Sequence, residues 1–92
     1  MARVRYSRNF LGSLKRLDRQ PRERALKAID KVMKDPRSPG LNLEKLPGFS
    51  SMWSIRITQG DRILLSRDED EQGEIWTLHD LGPHDIYRKV GR

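Results

Sequence analysis

Residues 53–65, WSIRITQGDRILL, hold two runs of alternating apolar and polar side chains on either side of a turn-forming Gln-Gly-Asp. A period of two marks a strand with one buried face, and a slip of one residue would turn every core side chain to solvent. The register is therefore tightly constrained. A two-residue loop of Gln59 and Gly60 would set Ile57 opposite Arg62 and bury an arginine. A three-residue loop, Gln59-Gly60-Asp61, sets Thr58 opposite Arg62 and Ile57 opposite Ile63. Trp53, Ile55, Ile57, Ile63 and Leu65 then share one face, while Ser54, Arg56, Thr58, Arg62 and Leu64 share the other. Arg56 and Arg62 are predicted to project from the same side, near enough to converge on one anion. Two planar guanidinium forks that keep their charge suit a phosphate clamp, although a solvated strand face also carries arginines. Leu64 is the one misfit on the polar face.

The rest of the chain supplies a small frame for this hairpin. At 92 residues it is read as one domain spanning residues 1–92. Residues 2–6, ARVRY, alternate as a short first strand. Ser7 can cap a helix carrying Phe10, Leu14 and Leu17 at helical spacing, with Lys15 and Arg16 near its C-terminal end where positive charge suits the dipole. Asp18, Arg19 and Gln20 read as a break, and Pro21 falls in the first turn of a second helix. Ala25, Leu26, Ile29, Val32 and Met33 form its expected buried stripe, opposite a solvated charged face. Asp35-Pro36 ends it.

Residues 36–52 are rich in Pro and Gly and read as a loop. Strands are expected at 53–58, 62–67 and 74–79, the last two joined by the acidic DEDEQG hairpin loop. The fold class that follows is α+β: an N-terminal strand, a helical hairpin, then a three-stranded antiparallel run completing a small, mainly antiparallel sheet.

Charge narrows the class of partner. Nineteen Lys and Arg stand against thirteen Asp and Glu, for a net charge of +6. Five of the acids (Asp68, Glu69, Asp70, Glu71 and Glu74) are clustered, so the remaining surface is strongly positive. Such a surface attracts nucleic acid or an acidic protein, and it also serves solubility. With no cysteine there is neither a disulfide framework nor a thiolate metal site. No apolar stretch approaches a membrane span or a signal peptide, so the expected setting is cytoplasmic with no membrane partner.

The closing stretch HDLGPHDIYRK, residues 79–89, places two His-Asp pairs, a tyrosine and two basic residues after a strand-like run. His79, Asp80, His84 and Asp85 are potential metal ligands, but Leu-Gly-Pro between them reads as a turn and no other histidine exists to complete a shell. An acid/base pair is a second reading. Histidine titrates near neutral pH, whereas tyrosine as a base would need its pKa lowered from about 10 to near 7, about 4 kcal/mol. His84 is thus the easier base and Tyr87 the easier acid. A third reading leaves Tyr87 packed on the sheet and His84 decorating a turn.

Taken in order, the helical hairpin, LEKLPG (residues 43–48), WSIRITQGDRILL and the final strand running into HDIYRK resemble the RelE/ParE toxin superfamily, its RelE-like branch, over nearly the whole chain. The resemblance implies the toxin of a type II toxin-antitoxin system: a ribosome-dependent endoribonuclease that cleaves mRNA without metal or other cofactor and is neutralised by a cognate antitoxin. Carried over by position, Arg56 and Arg62 match the family's strand arginines, Tyr87 its C-terminal tyrosine, and His84 the His or Arg that precedes it. Lys45 matches a basic residue before the hairpin, and Arg88 and Lys89 join it as expected RNA-binding positions. The sequence departs from the pattern in having a single lysine, Lys45, where some members have several, and in placing Asp85 beside the proposed base. The alternatives are a non-catalytic ParE-like toxin that inhibits DNA gyrase, or an inactive nucleic-acid-binding relative.

Overall fold

The structure is a computed structural model that describes residues 2–49 and 51–83. Its elements run β1 (Arg3–Tyr6), α1 (Arg8–Arg16), α2 (Arg19–Lys34), a short 3-10 turn (Pro39–Leu41), β2 (Leu43–Lys45), β3 (Met52–Arg56), β4 (Asp61–Asp70) and β5 (Gly73–Pro83). The five strands form one sheet in the order β1-β5-β4-β3-β2. Only β1 and β5 run parallel: the helical hairpin carries the chain from β1 at one edge of the sheet to β2 at the other, and the antiparallel run β2 to β5 then returns beside β1. The remaining neighbours are antiparallel.

Local chemistry accounts for the element ends. Ser7 caps α1: its hydroxyl accepts from the Phe10 N–H at 3.0 Å and donates to the His79 carbonyl at 2.6 Å, so one side chain both starts the helix and fastens it to β5. The break between the helices is shorter than the sequence suggests. Asp18 is the N-cap of α2 and Arg19 and Gln20 are already helical, which leaves Pro21 in the first turn, where its missing N–H costs nothing.

Both helices cover one face of the sheet. Phe10, Ala25, Ala28, Ile29 and Val32 pack with Ile55, Ile57, Ile63, Leu65, Trp76 and Leu78, and Trp53 meets Trp76 edge to face at 5.7 Å. The buried stripe of α2 differs from expectation at three positions: Ala28 lies inside, Met33 is only partly buried, and Leu26 is 50 % exposed. A helix whose stripe faces the sheet through Ala25 and Ala28 sits too close for Leu26, one residue round, to reach the core.

Two further differences bear on function. The segment read as a loop contains β2, which pairs Leu43 with Ile55, Glu44 with Ser54 and Lys45 with Trp53. The expected Leu-Gly-Pro turn is instead strand, because β5 continues through Leu81, Gly82 and Pro83 opposite Ile63, Arg62 and Asp61. A β-bulge at Leu64/Leu65 makes this continuation possible: Leu65 faces Leu78 and Leu64 faces Asp80, leaving His79 as the extra residue.

Candidate nucleic-acid interface

The hairpin turn is longer than the sequence predicts. Thr58 Oγ1 accepts from the Gly60 and Asp61 N–H groups at 3.2 and 3.0 Å and donates to Asp61 Oδ2, tying the loop of residues 57–60 to the start of β4. The register moves by two, so the faces survive: Ile55 pairs with Ile63, and Arg56 stands directly opposite Arg62. The Cα atoms of such a pair lie about 4.5–5.5 Å apart. The two side chains therefore start from the same face at directly opposite positions, closer than the predicted register had them.

Arg56 is exposed, whereas the Arg62 side chain is 23 % exposed and already oriented. Its Nη1 donates to the buried Ser54 hydroxyl at 3.5 Å and lies 3.8 Å from Glu44 Oε2. Leu64, the misfit on this face, is sealed by Leu46, Phe49 and Met52, which make a second small apolar cluster. The β2–β3 connection thus folds over the sheet beside the arginines and gives the face a wall.

Beyond that wall, His79 Nε2 and Ser66 Oγ are hydrogen-bonded at 2.7 Å. Ser66 has the strand parity of Arg62 and Leu64, so the bulged His79 reaches the arginine face. Asp80 turns elsewhere and accepts from Ser13 of α1 at 3.0 Å. The first His-Asp pair is therefore divided between two sides of β5.

No protein-family model and no curated protein sequence matches the chain. Solved structures do. The chain superposes on the YoeB/ParE toxin from Agrobacterium tumefaciens with a TM-score of 0.74 at 21 % identity, covering 89 % of this chain and 98 % of that one. For the archaeal RelE–RelB complex from Pyrococcus horikoshii OT3 the TM-score is 0.72 at 18 % identity, over 92 % of this chain and 97 % of that one. For the intact E. coli RelBE toxin-antitoxin complex the values are 0.69 and 18 %, over 90 % and 96 %. The chain has the RelE/ParE toxin fold.

Within this RelE-like fold the residues singled out from sequence are distributed unequally. Arg56 and Arg62 are brought together. Lys45 is not with them: opposite Trp53, it has the parity of the helix-covered face, and Glu44 is the β2 residue beside Arg62. His84, Asp85, Tyr87, Arg88 and Lys89 lie outside the described residues. The sequence alone does not single out Glu44, because it lies in a breaker-rich segment, and marks His79 only as a potential metal ligand, because a bulge has no period-two signature. Among the described residues no helix is long and apolar enough to cross a membrane.

Proposed function

We propose that the protein is the toxin of a type II toxin-antitoxin pair and an endoribonuclease that cleaves mRNA on the ribosome without a metal. The observation that carries this reading is the direct Arg56–Arg62 pair on the open face of a RelE-like sheet whose last described residue, Pro83, leads into His84 and Tyr87.

The reaction is attack of a ribose 2'-hydroxyl on the adjacent phosphorus, giving a 2',3'-cyclic phosphate and a free 5'-hydroxyl. His84 takes the proton of the 2'-hydroxyl, and Tyr87 delivers one to the departing 5'-oxygen. Arg62, held by Ser54, and Arg56 oppose the negative charge that builds on the phosphorane oxygens; preorganised donors of this kind supply much of the rate in phosphoryl chemistry. Glu44 acts as an internal counterion that the phosphate displaces. Arg88 and Lys89 hold the flanking backbone. The solved RelE–RelB and RelBE complexes contain an antitoxin chain, and by analogy an acidic or amphipathic antitoxin covers the basic face here.

Purified protein added to a translating extract is expected to cut mRNA at positions occupied by ribosomes, while gyrase supercoiling in a parallel reaction proceeds unchanged. Intact mRNA with inhibited supercoiling would instead identify a gyrase-directed toxin.

A further inference from the structure

A cavity of about 200 Å³ lies on the side of the molecule where the C-terminal end of β3 meets α2, lined by Arg24, Lys27, Lys31, Gly40 and Arg56 among others. Four of its lining residues are cations and none is acidic. Arg24, Lys27 and Lys31 recur at i, i+3 and i+7 and so stand along one stripe of α2, with successive rises of about 4.5 and 6 Å.

The helix leaves these three charges uncompensated. Its only carboxylates, Glu23 and Asp30, are engaged by other partners one turn away: Arg19 Nε contacts Glu23 at 3.2 Å and Lys34 Nζ contacts Asp30 at 3.0 Å. No ion pair among the described residues involves Arg24, Lys27, Lys31 or Arg56. Like charges one turn apart disfavour a helix, so the arrangement gains from an external anion. Two contacts aim the stripe at the cavity. Arg24 Nη1 donates to the Ile57 carbonyl at 3.5 Å, and the Lys31 ammonium lies over the 3-10 turn, where a Cβ on Gly40 would come within 3.4 Å of it.

We propose that Arg24, Lys27 and Lys31, together with Arg56, form a second phosphate site that grips the single-stranded RNA as it leaves the Arg56–Arg62 pair. The inference rests on the RNA-cleaving reading for the identity of the strand. Arg56 lines the cavity and is also the strand partner of Arg62, so the two places adjoin at the C-terminal end of β3. The spacing of the three cations along α2 approaches that of successive phosphates on an extended strand, and the lining is dominated by four cations, with Asn42 the one neutral polar side chain. The site therefore adds affinity and direction and leaves sequence choice to other contacts.

The test is anisotropy of a 5'-labelled 20-nucleotide single-stranded RNA titrated with the full chain across a range of salt. Lys27→Gln/Lys31→Gln is expected to weaken binding about tenfold or more at 0.1 M salt and to flatten the log Kd against log salt slope by about 1.4, two lost phosphate contacts at about 0.7 each. Lys27→Arg/Lys31→Arg keeps the charge and restores both values. Adding Arg24→Gln flattens the slope further. Since Arg24 also touches Ile57, the double variant is the decisive one, with far-UV circular dichroism confirming its helix content. An unchanged slope and Kd in the double variant would overturn the site, as would unchanged RNA binding accompanied by lost binding of polyglutamate, which would give the face to an acidic protein. The assay needs no cleavage. RNA that is bound with the expected slope yet never cut by the wild type in a translating extract sinks the nuclease reading and leaves this site standing.

Discussion

Arg62 is partly buried and already donates to Ser54, so its guanidinium is oriented before any phosphate arrives, whereas Arg56 is exposed and free to adjust. That difference sets an order of importance. Arg62→Ala is expected to lower the rate of mRNA cleavage by about 10² to 10³, the usual loss for a preorganised donor to a developing oxyanion, and Arg62→Lys recovers only part of it because an ammonium lacks the planar fork. Arg56→Ala is expected to cost about tenfold. Comparable losses in both single variants would mean that orientation by Ser54 contributes nothing. Glu44 lies 3.8 Å from Arg62 and in the proposed site would compete with phosphate, so Glu44→Gln is expected to tighten RNA binding a few-fold at low salt, with the gain fading as salt screens the contact. Weaker binding in that variant would give the carboxylate a role other than counterion.

At the scale of elements, two devices hold the sheet in shape, one beside the arginines and one at its far end. Leu64 is 1 % exposed beneath Leu46, Phe49 and Met52, and Leu64→Ala is expected to destabilise the fold by about 2–4 kcal/mol in urea unfolding. It also loosens the wall beside the arginines. The second device is Glu74 on β5, which accepts from Arg37 at 2.8 and 3.2 Å and from Arg67 Nε at 2.5 Å. It clasps the chain after α2 to the β4–β5 hairpin. Hydrogen bonding from Arg37, and then from Arg67, outweighs the opposing effect of burial and holds the Glu74 carboxyl down at about 2 against an ordinary 4.5. A depressed carboxylate stabilises the fold above the unfolded value and loses that contribution as pH falls. Between pH 5 and pH 2 the clasp should therefore release on the order of 1–2 kcal/mol, discounted for solvent screening at the exposed Arg37. Glu74→Gln is expected to start less stable at pH 6 and to lose less on acidification, measured by urea midpoints at several pH values; parallel pH profiles would contradict the assignment.

These elements also show what the sequence could reveal. The alternation in residues 53–65 fixed which side chains share a face, and the arginine pair followed from it, because a register error of two preserves parity. Turn length was not legible, since it depends on the hydroxyl of Thr58 capturing two backbone N–H groups. Neither β2 nor the bulge at His79 has a periodic signal; each exists because a neighbouring strand presents hydrogen-bonding groups to it.

At the scale of the whole molecule, charge is separated along β4. Arg62 stands near its beginning and Asp68, Glu69 and Asp70 at its end, roughly 20–25 Å away at the rise of a strand. Part of that acidic tip is internally neutralised: Arg3 engages Asp70, which with the Gln72 N–H holds its carboxyl below the ordinary range. The opposite end carries the arginine pair and the α2 stripe, so a polyanion is drawn to one end only. This polarity was legible in the sequence as a clustered minority of acids, but its alignment with the hairpin needed the sheet order. The Arg56–Arg62 pair is, in the proposed function, the phosphate clamp of an mRNA-cleaving site. The most direct test is single-turnover cleavage of a defined mRNA on stalled ribosomes by the wild type and by Arg56→Ala/Arg62→Ala, with equal helix content confirmed for both. A phosphate clamp gives a rate at least about 10³ lower in the double variant; a rate within twofold of the wild type would rule the clamp out.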